Sequence, residues 1–320
     1  MLRDKLKIYS FFRGIANFIR YPKEIMKMVS SKSFVFLCEF EPGHYYSPIP
    51  NMAEISKSRE QEVIFDEDNK ILGVDLNTSK QLELLKEFKS YYPDFSFSVK
   101  KTDNDRFWLD NGMYSFGDAA VLFSMLRHFK PAKIVEVGSG FSSALMLDVN
   151  QKDFKNGIEL TFIEPYANRL HGLLRDSDSG INILESRIQE VDLDRVLDLS
   201  ENDILFIDSS HVTKKGSDLL YILSEIVPRL NKGVILHFHD IFWPFDYPKE
   251  WIKSGRAWNE AYCLKFFLQF NNDFEILFFN SYIKEKHEEE LDKYLPVSLE
   301  EPSNFPYTQG MSSLWIKKTT

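Results

Sequence analysis

The residues best suited to chemistry are Asp208 and His211, in the stretch FIDSSHVTKKGSD at 206–218. An apolar run, DILFI, breaks off at Asp208, and the histidine follows three residues later. A carboxylate and an imidazole delivered to one loop can act as a general base with its partner, or as part of a metal site. The plainer reading of Asp208 is a helix cap or a buried hydrogen-bond acceptor. A second pair, His239 and Asp240, closes the run GVILHFHD at 233–240. Strand alternation puts His237 and His239 on one face, so His239 and Asp240 need not share a site. His237 reads as a satisfied core histidine.

Two further features suggest a bound ligand. EVGSGFSS, 136–143, follows one apolar run and opens a helical pattern. Gly138 and Gly140 permit a tight turn and close approach of a ligand to backbone. Ser143 stands where a third glycine would complete a dinucleotide fingerprint, so a nicotinamide dehydrogenase is disfavoured. Glu136, just before the glycines, could meet a cationic amino group. Glu164 ends the next apolar run (FIEP) and is placed to accept hydrogen bonds from ribose hydroxyls. The plain alternative there is a solvated acid.

These residues need elements to hold them. Strands are expected at 133–137, 159–164, 181–186, 203–208, 233–240, 274–280 and 312–318. Helical spacing falls at 80–91, 117–129, 144–150, 168–174, 191–197, 217–230 and 257–270. Strands alternating with helices predict an α/β, Rossmann-like, mostly parallel sheet with helices on both faces. The near-continuous apolar strands fit burial on both sides. In such sheets ligands sit beyond the carboxyl ends of the strands. Four of the first five strand ends carry an acid: Glu136, Glu164, Asp208 and Asp240.

Composition sets outer bounds. The 320 residues are 43% hydrophobic and carry a net charge of -9, which disfavours nucleic-acid binding. Two cysteines, Cys38 and Cys263, form no CxxC, so a reducing, cytoplasmic setting is expected. Residues 1–32 hold eight Lys/Arg against Asp4 and Glu24, a balance of +6 that leaves -15 for the rest. They form a basic amphipathic N-terminal helix ended near Pro22, able to dock on the core, on a second copy, or peripherally on an anionic membrane. The remainder divides into an accessory or lid region, 33–114, and a ligand-binding domain, 115–320. FVFLCEF, 34–40, reads as a short strand or buried turn, and EPGHYYSPIP, 41–50, as irregular.

EVGSG, FIEP, SRIQEV and DILFIDSSH, in this order and spacing, resemble the class I S-adenosylmethionine-dependent methyltransferases over about residues 115–320. DSSH and GHYYSPIP are similar to the branch with macrolide-sugar O-methyltransferases and cephalosporin hydroxylase-like proteins. The resemblance implies a seven-stranded sheet with an antiparallel last strand. It implies that Glu136, Gly138, Ser139 and Gly140 contact the methionine part of S-adenosylmethionine, Glu164 the ribose, and Ile188 and Gln189 the adenine edge. Asp208 belongs to the same cofactor-facing set. In the resembled sugar enzymes the Asp of DxxH is a Mg²⁺ ligand and the His is the base. The metal set carried over is Asp208 and Asp240, with His239 where those enzymes place a carboxylate or Asn. An imidazole there suits a transition metal better than Mg²⁺.

For the acceptor, two loops are candidates. FWPFDYPKEW, 242–251, offers Trp243 to stack on a sugar or planar group. The other loop offers His44, Tyr45 and Tyr46. The leading expectation is O-methylation of a hydroxyl on a small-molecule or glycan acceptor, with His211 as base. Two alternatives stand beside it. One is a metal-dependent hydrolase or oxygenase-like enzyme using Asp208, His211, His239 and Asp240. The other is a catalytically silent interaction module.

Overall fold

The computed structural model describes residues 40, 43–51, 71–103, 105–178, 180–303 and 310–320. The N-terminal helix expected over 1–32, with its membrane or subunit contact, lies outside the described residues, as do Cys38 and nearly all of the strand expected at 34–40. The chain separates into two compact units, Met1–Glu54 and Ile55–Thr320.

In the first unit, the segment rich in Gly and Pro is irregular, as expected. Gly43 takes φ 86° and its N–H donates to the Ile49 carbonyl at 2.9 Å. The His44 ring stacks on Tyr45 at 4.3 Å and on Phe40 at 4.9 Å. Tyr45 and Tyr46 are exposed.

The second unit holds one seven-stranded sheet: β1 (Lys133–Val137), β2 (Glu159–Ile163), β3 (Asn182–Leu184), β4 (Ile204–Ile207), β5 (Ile235–Phe238), β6 (Phe274–Phe279) and β7 (Leu314–Lys318). Its order is β3-β2-β1-β4-β5-β7-β6. The first five strands pair in parallel, and β7 lies antiparallel between β5 and β6. Every residue of β4 and β5 is buried, so both pleat faces are covered. The alternating run in the sequence and the observed sheet thus agree.

The helices flanking the sheet are α1 (Thr78–Phe88), α2 (Phe116–Phe129), α3 (Phe141–Asp153), α4 (Asn168–His171), α5 (Asp194–Leu197), α6 (Asp218–Tyr221), α7 (Lys249–Lys253), α8 (Glu260–Leu268), α9 (Asn280–Lys286) and α10 (Glu288–Tyr294). α1 belongs to this unit: Phe88 meets Phe278 of β6 at 5.4 Å, and Gln81 accepts the Phe279 N–H at 2.7 Å. α2 is buried along nearly its whole length, as its apolar run demands.

Several expected helices differ in detail, the one placed at 168–174 closing at His171 as α4. The one placed at 217–230 is α6, then a wide turn at Ile222–Ile226, then a tight turn at Val227–Arg229. Pro228, which cannot donate a backbone hydrogen bond, sits in that tight turn, where the helical run stops. The one placed at 191–197 shortens to α5, after a tight turn at Ile188–Glu190. The one placed at 257–270 starts only at Glu260, because the chain before it is tied to the loop after β4. Among the described residues no helix is long and apolar enough to cross a membrane.

Candidate functional site

The turn after β1 is built on contact between two loops. Gly138 takes φ 86°, and a Cβ there would fall 1.8 Å from the Asp208 carbonyl oxygen. Only glycine fits that approach. The Gly138 N–H donates to Ile163 O at 3.0 Å and the Asp208 N–H to Val137 O at 2.9 Å, so the ends of β1, β2 and β4 are locked together. Glu136 lies beneath the turn, fully buried, and its two carboxylate oxygens accept the hydroxyls of Ser142 and Ser143. Burial pushes its pKa up from 4.5 to about 8, against the pull of those hydroxyls. Above the turn, Glu164 accepts the N–H of Tyr166 at 2.8 Å and of Ser139 at 3.3 Å. These bonds aim its carboxylate and leave lone pairs free for a ligand.

Two cavities open beyond the strand ends. One, of about 420 Å³, is lined by Gly138, Glu164, Ile188, Gln189 and Asp208 among others. The second, of about 350 Å³, shares Gly138, Glu164 and Asp208 and adds Ser139, Gly140 and His211. Glu136 lines neither. Gln189 Oε1 and Ser209 Oγ are buried on these walls with no hydrogen-bond partner among the described residues. Orphaned acceptors and donors of this kind fit a polar ligand with nucleoside hydrogen-bonding groups. The glycine turn, the strand-two acid and the orphaned groups therefore suit S-adenosylmethionine. A wider cleft of about 610 Å³ lies at the amino ends of β1 and β2, by Lys133 and Glu159, away from this chemistry.

The second cavity contains a charged centre. His211 Nδ1 is 2.8 Å from Glu260, and His211 Nε2 faces Asp208 at 3.5 Å and Asp240 at 3.7 Å. His239 Nδ1 reaches the same carboxylates at 3.4 and 3.6 Å, and its Nε2 is 3.5 Å from the buried Asp118. One ligand atom each from Asp208, His211 and Asp240 lies within 4.8 Å of the others, a group able to hold a metal ion.

The charges tune one another. Burial lowers the His211 pKa, but the Glu260 hydrogen bond and charge, with Asp240 and Asp208, outweigh it and raise the group to about 9. Burial raises that of Asp208, yet His239 and His211 pull it down to about 2. Burial raises Asp240 and Glu260. His237, stacked on Phe206 at 3.6 Å and bonded to Ser313 at 2.9 Å, is held neutral by burial, as a core histidine.

Backbone geometry places these side chains. His211 and Asp240 both take φ 57°, a left-handed conformation uncommon for non-glycine residues and concentrated at functional sites. The turn at His211 aims its carbonyl at the start of α8, where it accepts the N–H groups of Asn259 and Glu260 at 3.1 and 3.3 Å. Free helix N–H groups are thereby satisfied, and Glu260 is delivered to the imidazole.

A methyltransferase-domain family model matches residues 135–241, from β1 through the loop after β5. An uncharacterized protein of Archaeoglobus fulgidus is 37% identical over 169 residues, covering 52% of this chain and 76% of that protein. The chain belongs to the same family as that protein. The fold is class I S-adenosylmethionine-methyltransferase-like, in its strand order and in the matched domain. Two solved structures are similar at low identity. One is a Podospora anserina methyltransferase bound to S-adenosylhomocysteine, with 13% identity, 75% of this chain and 88% of that chain covered, and a TM-score of 0.39. The other is an O-methyltransferase of Streptomyces achromogenes involved in tomaymycin synthesis, with 13% identity, 77% and 92% covered, and a TM-score of 0.38.

The structure gathers Gly138, Ser139, Gly140, Glu164, Ile188, Gln189, Asp208, His211, His239 and Asp240 around the two cavities. His239 and Asp240 do converge, because β5 ends at Phe238 and the left-handed turn at Asp240 breaks strand alternation. The three-residue metal-capable group takes His211 rather than His239. Trp243 lies elsewhere, buried against Tyr282 at 6.0 Å with Lys286 over its ring. His44, Tyr45 and Tyr46 belong to the first unit. The aromatics beside the centre are instead Trp258, 4.2 Å from the His211 ring, and Tyr114, 5.0 Å from the His239 ring. Trp258, Glu260 and Asp118 escaped the sequence reading. The acidic residue at the start of the aromatic helix run was the one available signal for Glu260.

Proposed function

We propose that this chain transfers a methyl group from S-adenosylmethionine to a hydroxyl of a sugar or another small molecule. One observation carries the reading: a histidine anchored by a buried glutamate presents its second nitrogen to the cavity that adjoins the glycine turn and Glu164. Bound there, the cofactor supplies a methyl group on a sulfonium centre.

The chain's own residues would then divide the work. Gln189 and Ile188 take the adenine edge, Glu164 the ribose hydroxyls, and the turn at 138–140 the amino-acid end. Glu136 braces that turn from beneath. Asp208, kept ionised, places negative charge near the cationic centre. An alcohol attacks poorly until its proton leaves. In its neutral form, which the neighbouring acids make the minor one below about pH 9, His211 takes that proton at Nε2, and Glu260 stabilises the imidazolium and fixes the ring tautomer through Nδ1, 2.8 Å away. Asp208, His211 and Asp240 are also the residues that would hold a divalent cation, whose chemistry would be to lower the hydroxyl pKa; with Nε2 on the cation, His211 would be a ligand and not the base.

Calorimetric titration with S-adenosylhomocysteine tests the first step. Binding by the parent chain and a loss of at least about tenfold in Glu164→Ala are expected. No binding by the parent chain would sink the proposal. The metal-capable group favours one other reading, a metal-dependent enzyme that transfers no methyl group. His211 would then be a ligand, with Glu260 as its outer carboxylate. Stoichiometric transition metal in the purified protein, together with failure to bind the nucleoside, would select it.

A further inference from the structure

The amino-acid end of the cofactor carries a carboxylate, and beyond the backbone of the turn at 138–140 no cationic side chain has been assigned to it. Glu164, Asp208 and Asp240, on the walls of the smaller cavity, are acids. The cation on that wall outside the charged centre is Arg169, from α4, which follows the Glu164 turn. Arg169 does not line the larger cavity, where the nucleoside is placed.

Three observations mark Arg169. Its stem lies across Gly140: a Cβ built there would sit 3.2 Å from Arg169 Cδ and 3.8 Å from Nη1. Gly140 has extended backbone, φ 179°, so what a side chain would lose there is room for the arginine. Arg169 is exposed and, among the described residues, makes no hydrogen bond or ion pair; Arg195 is alike in this but lies at the cleft by Lys133, whereas Arg106, Arg127 and Arg229 each hold carboxylates. An unpaired guanidinium lining a cavity of an acidic protein is available for an anion. Finally, Gly140 caps the 13-residue helix α3, whose amino end offers free N–H groups and positive potential at the same corner.

We infer that Arg169 clamps the carboxylate of the cofactor's amino-acid moiety, together with the amino end of α3. The inference rests on the methyltransferase reading and adds a residue to it. A guanidinium meets a carboxylate through paired N–H donors, which lysine cannot reproduce.

The test compares two nucleosides on the full chain by calorimetry. S-adenosylhomocysteine carries the amino-acid group, and methylthioadenosine lacks it. Arg169→Met should weaken S-adenosylhomocysteine by about 10- to 100-fold, the range of a charge-assisted hydrogen bond, and leave methylthioadenosine within about twofold. Arg169→Lys should fall between. Methylthioadenosine also reports that the variant is folded. An Arg169→Met variant that binds S-adenosylhomocysteine as tightly as the parent, or that loses both nucleosides equally, would overturn the inference and leave the methyltransferase reading standing. If the parent chain bound neither nucleoside, both would fall.

Discussion

His211 and Glu260, 49 residues apart in the chain, meet through Nδ1 and a carboxylate oxygen at 2.8 Å, both side chains nearly sealed from solvent. The pairing gives the imidazole one orientation and leaves Nε2 for the cavity. Glu260→Gln keeps an acceptor of the same shape but removes the charge that stabilises an imidazolium. Turnover should fall about 10²-fold, within the range general-base catalysis supplies. The S-adenosylhomocysteine dissociation constant should stay within about twofold, since Glu260 lines neither cavity. Initial rates on an identified acceptor, paired with calorimetry, check both. An unchanged rate would remove Glu260 from the mechanism.

Gly138 and Gly216 share a left-handed backbone but differ in surroundings. At Gly138 a methyl group would collide with the Asp208 backbone, whereas at Gly216 nothing lies within 4 Å. Gly216→Ala should therefore cost only the conformational penalty, about 1–2 kcal/mol. Gly138→Ala adds a clash between two loops that β1 and β4 hold in register, and should cost more than about 3 kcal/mol. Urea unfolding of the two variants measures the contrast. Equal midpoints would mean that the loops part easily, and that the β1–β4 junction is looser than its hydrogen bonds indicate.

Strands β1, β2, β4 and β5 could be read in the sequence because each is a nearly continuous apolar run stopped by an acid or a glycine turn. Runs of that kind are what burial on two faces requires. The same stops placed Glu164, Asp208 and Asp240 at one edge of the sheet, so half of the candidate site was legible before any coordinates. Glu260 was not. It depends on a left-handed turn at His211 that docks the start of α8, a tertiary contact without local signature. Trp243 and Trp258 show the same limit. Both follow β5 in aromatic-rich chain, and nothing local says that the first packs on Tyr282 while the second meets His211. Glu136 reads as ligand-facing from its place before the glycines. Its burial under Ser142 and Ser143 follows from the path of the turn, which sequence spacing does not specify.

Arg106 tests a buried ion pair outside the site. Its guanidinium is 1% exposed and bonds Asp148 at 2.9 Å and Asp178 at 2.5 Å, tying the segment before α2 to α3 and to the chain before β3. Breaking such a pair leaves uncompensated buried charge, at a cost of about 3–5 kcal/mol. Arg175 also reaches Asp148, at 3.2 Å, so Arg106→Met should fall near the lower end. Because the group is enclosed, the loss should change little between low and moderate salt. Chemical unfolding at two ionic strengths decides. A loss under about 1 kcal/mol, or one that salt abolishes, would class the pair with surface bridges.

Glu136 gives the stability of the fold a pH dependence of definite sign. Its carboxyl is raised by burial from 4.5 to about 8 in the folded chain. Between those values the folded chain keeps a proton that the unfolded chain has released. Stability must then fall as pH rises through that window, by up to about 1.4 kcal/mol per pH unit for one proton, and level off above the folded pKa. Glu136→Gln retains an acceptor for the serine hydroxyls and has no proton to lose. The melting temperature of the parent chain should therefore drop more steeply than that of the variant between about pH 5 and pH 8. Burial raises Asp240 and Glu260 as well, so the variant keeps a residual slope of the same sign. Differential scanning calorimetry across that range separates the contributions. Parallel curves for parent and variant would mean that Glu136 is ionised beneath the turn, with Ser142 and Ser143 sufficient to hold its charge.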